Sequence, residues 1–143
     1  MIIRPYQPLD EDATVALWQA CALTRPWNDP RKDIARKLQI QPELFLVGET
    51  DGRLMASVMA GYEGHRGWVN YLAVHPDFQR RGHASTLMAE VEQRLLALGC
   101  PKINLQIRSG NQAVLAFYRR LGYLPDEAIS CGKRLIDDEA PAS

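Results

Sequence analysis

Residues 68–88 read Trp-Val-Asn-Tyr-Leu-Ala-Val-His-Pro-Asp-Phe-Gln-Arg-Arg-Gly-His-Ala-Ser-Thr-Leu-Met. Trp68–Val74 is rich in apolar and β-prone side chains and predicts a strand. A short turn follows, then the basic glycine loop Gln79–Ser85. The next segment, from about Gly82 to Leu98, predicts a helix with Ala84, Leu87, Met88, Val91, Leu95 and Leu98 on one face. Gly99 ends it. A helix start leaves about four N–H groups without intrahelical partners and is the positive end of a dipole. Gly82 and Ala84 keep side-chain bulk away, Arg80 and Arg81 add charge-assisted donors, and Ser85 or Thr86 adds a hydroxyl. Together these form a binding site for a pyrophosphate. As isolated residues, the same loop reads equally well as a helix cap with a solvated basic pair. The strand before it and the long amphipathic pattern after it favour the phosphate.

Working outward, Ile2–Arg4 predicts a short strand before Pro5. Asp10 is a cap for a helix reaching about Cys21, with Val15, Leu17, Trp18 and Leu23 among its apolar positions. In Arg25-Pro26-Trp27-Asn28-Asp29-Pro30 a loop ends with Asp29 as N-cap and Pro30 as first helical residue, starting a helix to about Gln39. Leu44–Glu49 and Arg53–Tyr62 predict antiparallel strands joined by an Asp51-Gly52 turn. Glu63–Gly67 is the turn before Trp68. Lys102–Arg108 alternates Ile103, Leu105 and Ile107 with Asn104, Gln106 and Arg108, the pattern of a strand with one buried face. Asn111 caps a fourth helix carrying Val114, Phe117, Tyr118 and Leu121, which Gly122 ends. Tyr123-Leu124 starts an extended segment, Ile129–Ile136 predicts a last strand, and Asp137–Ser143 an acidic frayed tail.

This order describes one domain over residues 1–143 with a mixed α/β sheet. It is not a run of βαβ units, and with no Gly-x-Gly-x-x-Gly a dinucleotide-binding reading fails.

The 143 residues, 46% hydrophobic and 24% charged, suit a soluble globular protein, and zero formal net charge argues against a nucleic-acid partner. Three cysteines, Cys21, Cys100 and Cys131, at wide spacing predict no disulfide framework. His65, His75 and His83 lie too far apart in sequence to read as a metal motif. No basic-then-apolar leader and no apolar run of about 20 residues is present, so a cytoplasmic protein without membrane partner is expected.

The word Gln79-Arg80-Arg81-Gly82-His83-Ala84 resembles the coenzyme-A-binding signature of the GNAT N-acetyltransferases, Gln/Arg-x-x-Gly-x-Gly/Ala. Asn111, Ala116, Phe117, Tyr118, Gly122 and Tyr123 are similar to the same family's Asn-x-x-Ala-x-x-Phe-Tyr-x-x-x-Gly-Phe/Tyr run, with the alanine out of register. The resemblance implies the acyl-CoA N-acyltransferase fold, a central, largely antiparallel sheet with splayed strands and about four helices. It implies acetyl-CoA as acyl donor and a primary amine as acceptor. Gln79, Arg80, Arg81, Gly82, His83, Ala84 and Ser85 would hold the pyrophosphate. Leu72, Ala73 and Val74 would lie on a bulged strand that pairs with the pantetheine arm and offers an amide to the thioester carbonyl. Asn111 would be a helix cap, a pantetheine contact, or both. Tyr118 matches the tyrosine that protonates the departing thiolate, although its place in an apolar stripe equally fits a packing role.

Some protein-acetylating members carry a glutamate where this chain has Gln106. Glu63 and His65, in the turn entering the central strand, are then the candidates for general base, or else a solvated hairpin tip. A water relay or an amine arriving neutral needs no base. The first two helices and their loop, with Arg25, Trp27, Asn28 and Asp29, would face the acceptor. Residues 25–30, 61–67 and 132–136 look like the YpeA-type bacterial subgroup. An acyl-CoA-binding sensor without catalysis is the rival reading, favoured by Gln106. Exposed strand edges near the C-terminus are compatible with a homodimer.

Overall fold

A computed structural model describes residues 1–139. The chain forms two compact units, one of Met1–Leu105 with Asp138 and Glu139, the other Gln106–Asp137. In the first, five strands stand side by side in sequence order: β1 Ile2–Pro5, β2 Phe45–Thr50, β3 Arg53–Tyr62, β4 Gly67–Val74 and β5 Ile103–Leu105. The first three pairings are antiparallel and the last, β4 with β5, is parallel. Helices α1 (Glu11–Ala20), α2 (Pro30–Lys37) and α3 (His83–Ala97) belong to this unit, and α4 (Gln112–Arg120) to the second. No helix among the described residues is long and apolar enough to cross a membrane.

Six consecutive residues of β3, Met55–Ala60, are buried, which requires cover on both faces of the strand. On one face Phe45, Val47, Met59 and Ala73 join Val15, Leu17 and Trp18 of α1 and Ile34 of α2 in a single apolar cluster. Alternation turns Leu46, Val58 and Ala60 to the other face, which α3 covers with Leu87, Met88, Val91 and Leu95. Leu98, expected on that stripe, lies beyond the helix end and is exposed. Gly67, read from sequence as a turn residue, opens β4 instead. A Cβ there would stand 2.9 Å from Cys100 Sγ and 3.0 Å from Leu95 Cδ1, so only glycine lets α3's C-terminal end lie this close.

The Asp51-Gly52 hairpin has both residues left-handed, at φ 51° and 77°, as a two-residue type I′ turn demands. At α2, Asp29 Oδ1 accepts from Arg31 N at 2.9 Å and Lys32 N at 3.4 Å, with Pro30 at N1. Asp10 precedes α1, but its carboxylate is held by Arg4 at 2.8 and 2.9 Å and by Gln7 N–H, so it caps no α1 amide. The hydrogen bond from Arg4 is the main reason its pKa lies below the usual carboxylate range.

Three expectations are corrected. The alternating run 102–108 yields only Ile103–Leu105 as strand, because β5 finds partners in β4 only at Gly67–Val69. No strand forms in Ile129–Ile136 among the described residues. Ile129, Leu135 and Ile136 are exposed, and the Gly-Lys-Arg at 132–134 interrupts the apolar alternation. The tail is not frayed at Asp138: its carboxylate is buried, paired with Arg36 at 2.5 Å, and accepts from Asp29 N–H at 2.9 Å. Residues 140–143 of that tail lie outside the described residues.

Candidate active site

β4 is the element that organises the site. Between Ser57/Ala73 and Met59/Asn70 its register with β3 shifts, so Tyr71 and Leu72 together oppose Val58 alone. This is a β-bulge, and Tyr71 sits in it at φ 52°, a region L side chains rarely occupy. The bulge begins one residue before the predicted segment Leu72–Val74. β5 has left the outer edge of β4 by this point, since its last partner is Val69. The bulged half of β4 therefore has no strand partner on that side among the described residues, and its backbone is open to an added extended chain.

Three contacts hold the bulge. The Ser57 hydroxyl donates to the Tyr71 carbonyl at 2.8 Å and accepts from Trp18 Nε1–H at 2.9 Å. The Tyr71 ring stacks on Trp18, centroids 3.8 Å apart, and its hydroxyl donates to Asp33 Oδ2 at 2.6 Å. Burial first, then this bond, raises the Tyr71 phenol well above its ordinary range. Trp18 and Ser57 are fully buried. None of these four residues stands out in sequence as more than core or helix surface, because the signal is a register shift that only a folded sheet displays.

From Val74 the chain turns through a short 3-10 segment, Pro76–Phe78, into the loop. Gln79 does not present its side chain outward: Nε2 donates back to the Val74 carbonyl at 3.0 Å, tying the turn to the strand. Arg80 and Gly82 are both left-handed, at φ 65° and 81°, and α3 begins at His83. Among the described residues the backbone amides of Arg80, Arg81, Gly82, His83, Ala84 and Ser85 have no acceptor, while Thr86 N–H makes the first helical bond to Gly82. The cap residue explains part of this. Asp29 and Asn111 close their helix starts with side-chain oxygens, whereas Gly82 has none to offer. The space beside Gly82 is open, with nothing within 4 Å of where a Cβ would stand. The result is a concave nest of N–H groups at a helix dipole, the geometry that takes a phosphate. Arg81 lies over the Phe78 ring at 5.6 Å, with Arg53 on the same ring at 5.1 Å.

The proposed base candidates stand at the other end of β4. Glu63 and His65 are exposed in the β3–β4 turn, and the Glu63 carboxylate accepts from the amides of His65, at 3.1 Å, and Arg66. At about 3.3 Å per residue, Gly67 and the bulge at Tyr71 are roughly 13 Å apart along the strand. The structure thus gathers Leu72, Ala73, Val74 and the loop at one end and leaves Glu63 and His65 at the other. In the α1–α2 loop the Arg25 guanidinium donates to the carbonyls of Ala22 and Thr24, both at 2.8 Å, and Trp27 is exposed.

In the second unit Asn111 caps α4, its side chain accepting from Val114 N–H at 3.2 Å. Tyr118 is buried, edge-on to Phe117 and Tyr123 at 5.0 and 5.6 Å, and burial pushes its phenol up to about 12. Gln106 donates to the Ser130 hydroxyl.

Residues 13–123 match the model of the acetyltransferase (GNAT) family. An acetyltransferase of Pectobacterium atrosepticum is 51% identical over 138 residues, 96% of this chain and 98% of that protein. One of Yersinia enterocolitica is 50% identical over 139 residues, covering 97% and 99%. Among solved structures, AAC(6')-Iy in complex with the bisubstrate analogue CoA-S-monomethyl-acetylneamine superposes with a TM-score of 0.75. That likeness spans 93% of this chain and 97% of that one at 19% identity, and speaks for the fold alone.

Proposed function

Since this chain belongs to the GNAT family of N-acetyltransferases, we propose that it transfers an acetyl group directly from acetyl-CoA to a primary amine. The observation that carries this reading is the run of unpartnered amides at 80–85, delivered by a bulged strand with an open edge. The pyrophosphate fits the nest, with Arg80 and Arg81 adding charge. The pantetheine arm runs along the outer edge of β4 near Leu72, Ala73 and Val74, and an amide of the bulge polarises the thioester carbonyl. The amine nitrogen attacks the carbonyl carbon, the C–S bond breaks, and Tyr118 gives its proton to the departing sulfur; nitrogen releases a proton to water, and water returns one to the Tyr118 phenolate. Asn111 is assigned to the same cofactor segment. The family match supports the choice of donor.

We assign residues 1–143 to one acetyltransferase domain, a reading supported by a family match that runs across both compact units. Glu63 and His65 are the titratable candidates for base, but roughly 13 Å of strand separates their turn from the bulge. The proposed transfer therefore has no dedicated base. An amine arriving neutral, or a water relay, needs neither. The alternative, an acyl-CoA sensor, is favoured by Gln106 in place of the acidic residue.

Calorimetric titration with acetyl-CoA, followed by free-thiol release with a panel of polyamines, aminoglycosides and peptides, tests the proposal. Saturable binding with thiol release on at least one amine is expected. No binding overturns the reading, and binding without release on any amine establishes the sensor.

A further inference from the structure

We infer that Ser57 and Trp18 are positioning residues for the acyl carbonyl, acting through the backbone of Tyr71. The inference rests on the acetyl-CoA reading above.

In a regular antiparallel pair every second residue of β4 turns its carbonyl into a ladder bond with β3. The extra residue of a bulge is left out of that ladder. Here a side chain takes over: the Ser57 hydroxyl reaches across from β3 and donates to the Tyr71 carbonyl at 2.8 Å. A hydroxyl rotates freely unless its lone pair is also used. Trp18 Nε1–H uses it, at 2.9 Å, and so aims the Ser57 proton at Tyr71. Trp18 itself cannot turn, because it is fully buried and stacked between Tyr71 at 3.8 Å and Phe45 at 6.2 Å, with Phe45 stacked on Tyr6 at 4.5 Å. A chain of four rings from the far strand therefore ends on the one left-handed residue of β4.

The left-handed backbone of a bulky residue is strained and persists only where its surroundings over-determine it. Fixing the Tyr71 carbonyl fixes the peptide plane it shares with the Leu72 N–H, since the two lie in one planar unit. That amide lies in the bulged segment assigned to the thioester, where an oxyanion donor must stand ready before charge develops. Neither Ser57 nor Trp18 touches substrate in this arrangement. Their effect is on where the amide points.

The test reads the carbonyl itself and needs no acceptor. Infrared difference spectra of wild type with [1-13C]acetyl-CoA are expected to show the thioester stretch lowered on binding. Ser57→Ala is expected to lose most of that shift while the affinity for acetyl-CoA, anchored at the helix start, changes less than about threefold. Ser57→Thr, which keeps the hydroxyl, is expected to regain it. Should Ser57→Ala fail to fold, Trp18→Phe keeps an aromatic ring in the stack, removes the N–H together with the rest of the indole's five-membered ring, and is expected to show a partial loss. A wild-type shift in Ser57→Ala, or in Trp18→Phe where that variant stands in, overturns the inference. Absence of binding by wild type overturns the acetyl-CoA reading instead, so the two failures are distinct.

Discussion

The two ends of β4 differ in how their polar groups are held. At the C-terminal end the bulge, the Gln79 tie to Val74 and the left-handed Arg80 and Gly82 fix a row of backbone donors. Behind that end lie the buried Trp18 and Ser57. At the N-terminal end, Glu63 and His65 stand in solvent on a turn where the Glu63 carboxylate accepts from the His65 and Arg66 amides. Groups that must meet a developing charge gain most from being fixed in advance, and in this strand the fixed groups all face the proposed acyl donor. Under the proposed function, the donor is expected to be recognised by backbone and the acceptor by side chains on α1, α2 and their loop.

If the chemistry resides on the donor side, the largest loss should follow from removing the proton given to sulfur. Tyr118→Phe is expected to lower kcat by about a hundredfold, the lower range for general acid–base groups, with acetyl-CoA affinity nearly unchanged. Equal losses in both would make Tyr118 a packing residue. Its pH behaviour follows from burial. With the phenol pushed up to about 12 from an ordinary value near 10, the donor form persists throughout the neutral range. A folded-state value above the unfolded one gives stability that is fully present below pH ~10 and is lost as pH rises through ~12. Wild type should therefore lose stability relative to Tyr118→Phe between those limits in alkaline denaturation, and not below them.

Next in size is Gly82→Glu. A side chain at φ 81° is strained by about 1–2 kcal/mol, and a carboxylate at a helix start repels an incoming phosphate. The strain lowers stability, while the repulsion and the filled space predict roughly tenfold weaker acetyl-CoA binding by calorimetry, at about 1.4 kcal/mol per tenfold. Unchanged affinity would remove the phosphate from this end of β4 and dissolve the contrast between its ends.

How much of this could be read in advance depends on whether the signal was local. The caps Asp29 and Asn111, the Asp51-Gly52 turn and the α3 stripe are short-range physics, and each stands where its residues indicate. The loop between β4 and α3 was equally legible as a helix start with a glycine and two arginines, because these are contiguous. The alternation in 102–108 and the apolar residues of 129–136 overstated the strands, since a strand also needs a partner at the right register, which sequence spacing does not supply. Tyr71, Ser57 and Trp18 were invisible for the same reason. They meet only because one residue is inserted in β4 relative to β3, and Trp18 and Ser57 are 39 positions apart. Asp138 was read as solvated by its acidic neighbours, yet Arg36 and the Asp29 amide hold it buried.

The smallest effect is expected at the hairpin tip, and it is the sharpest check on the comparison. In Glu63→Gln the amide oxygen can still accept from His65 and Arg66, so the turn survives while the titratable group is lost. His65→Ala removes a ring that is exposed. For an amine found to be acetylated, both variants should keep kcat/KM within about threefold of wild type across pH 6–9, since a group roughly 13 Å along the strand from the bulge is beyond the 2.6–3.2 Å reach of a general base. A hundredfold loss in Glu63→Gln, together with disappearance of the acid limb of the pH profile, would put the base at the tip. It would then be the exposed end of β4, and not only the fixed one, that meets the substrates.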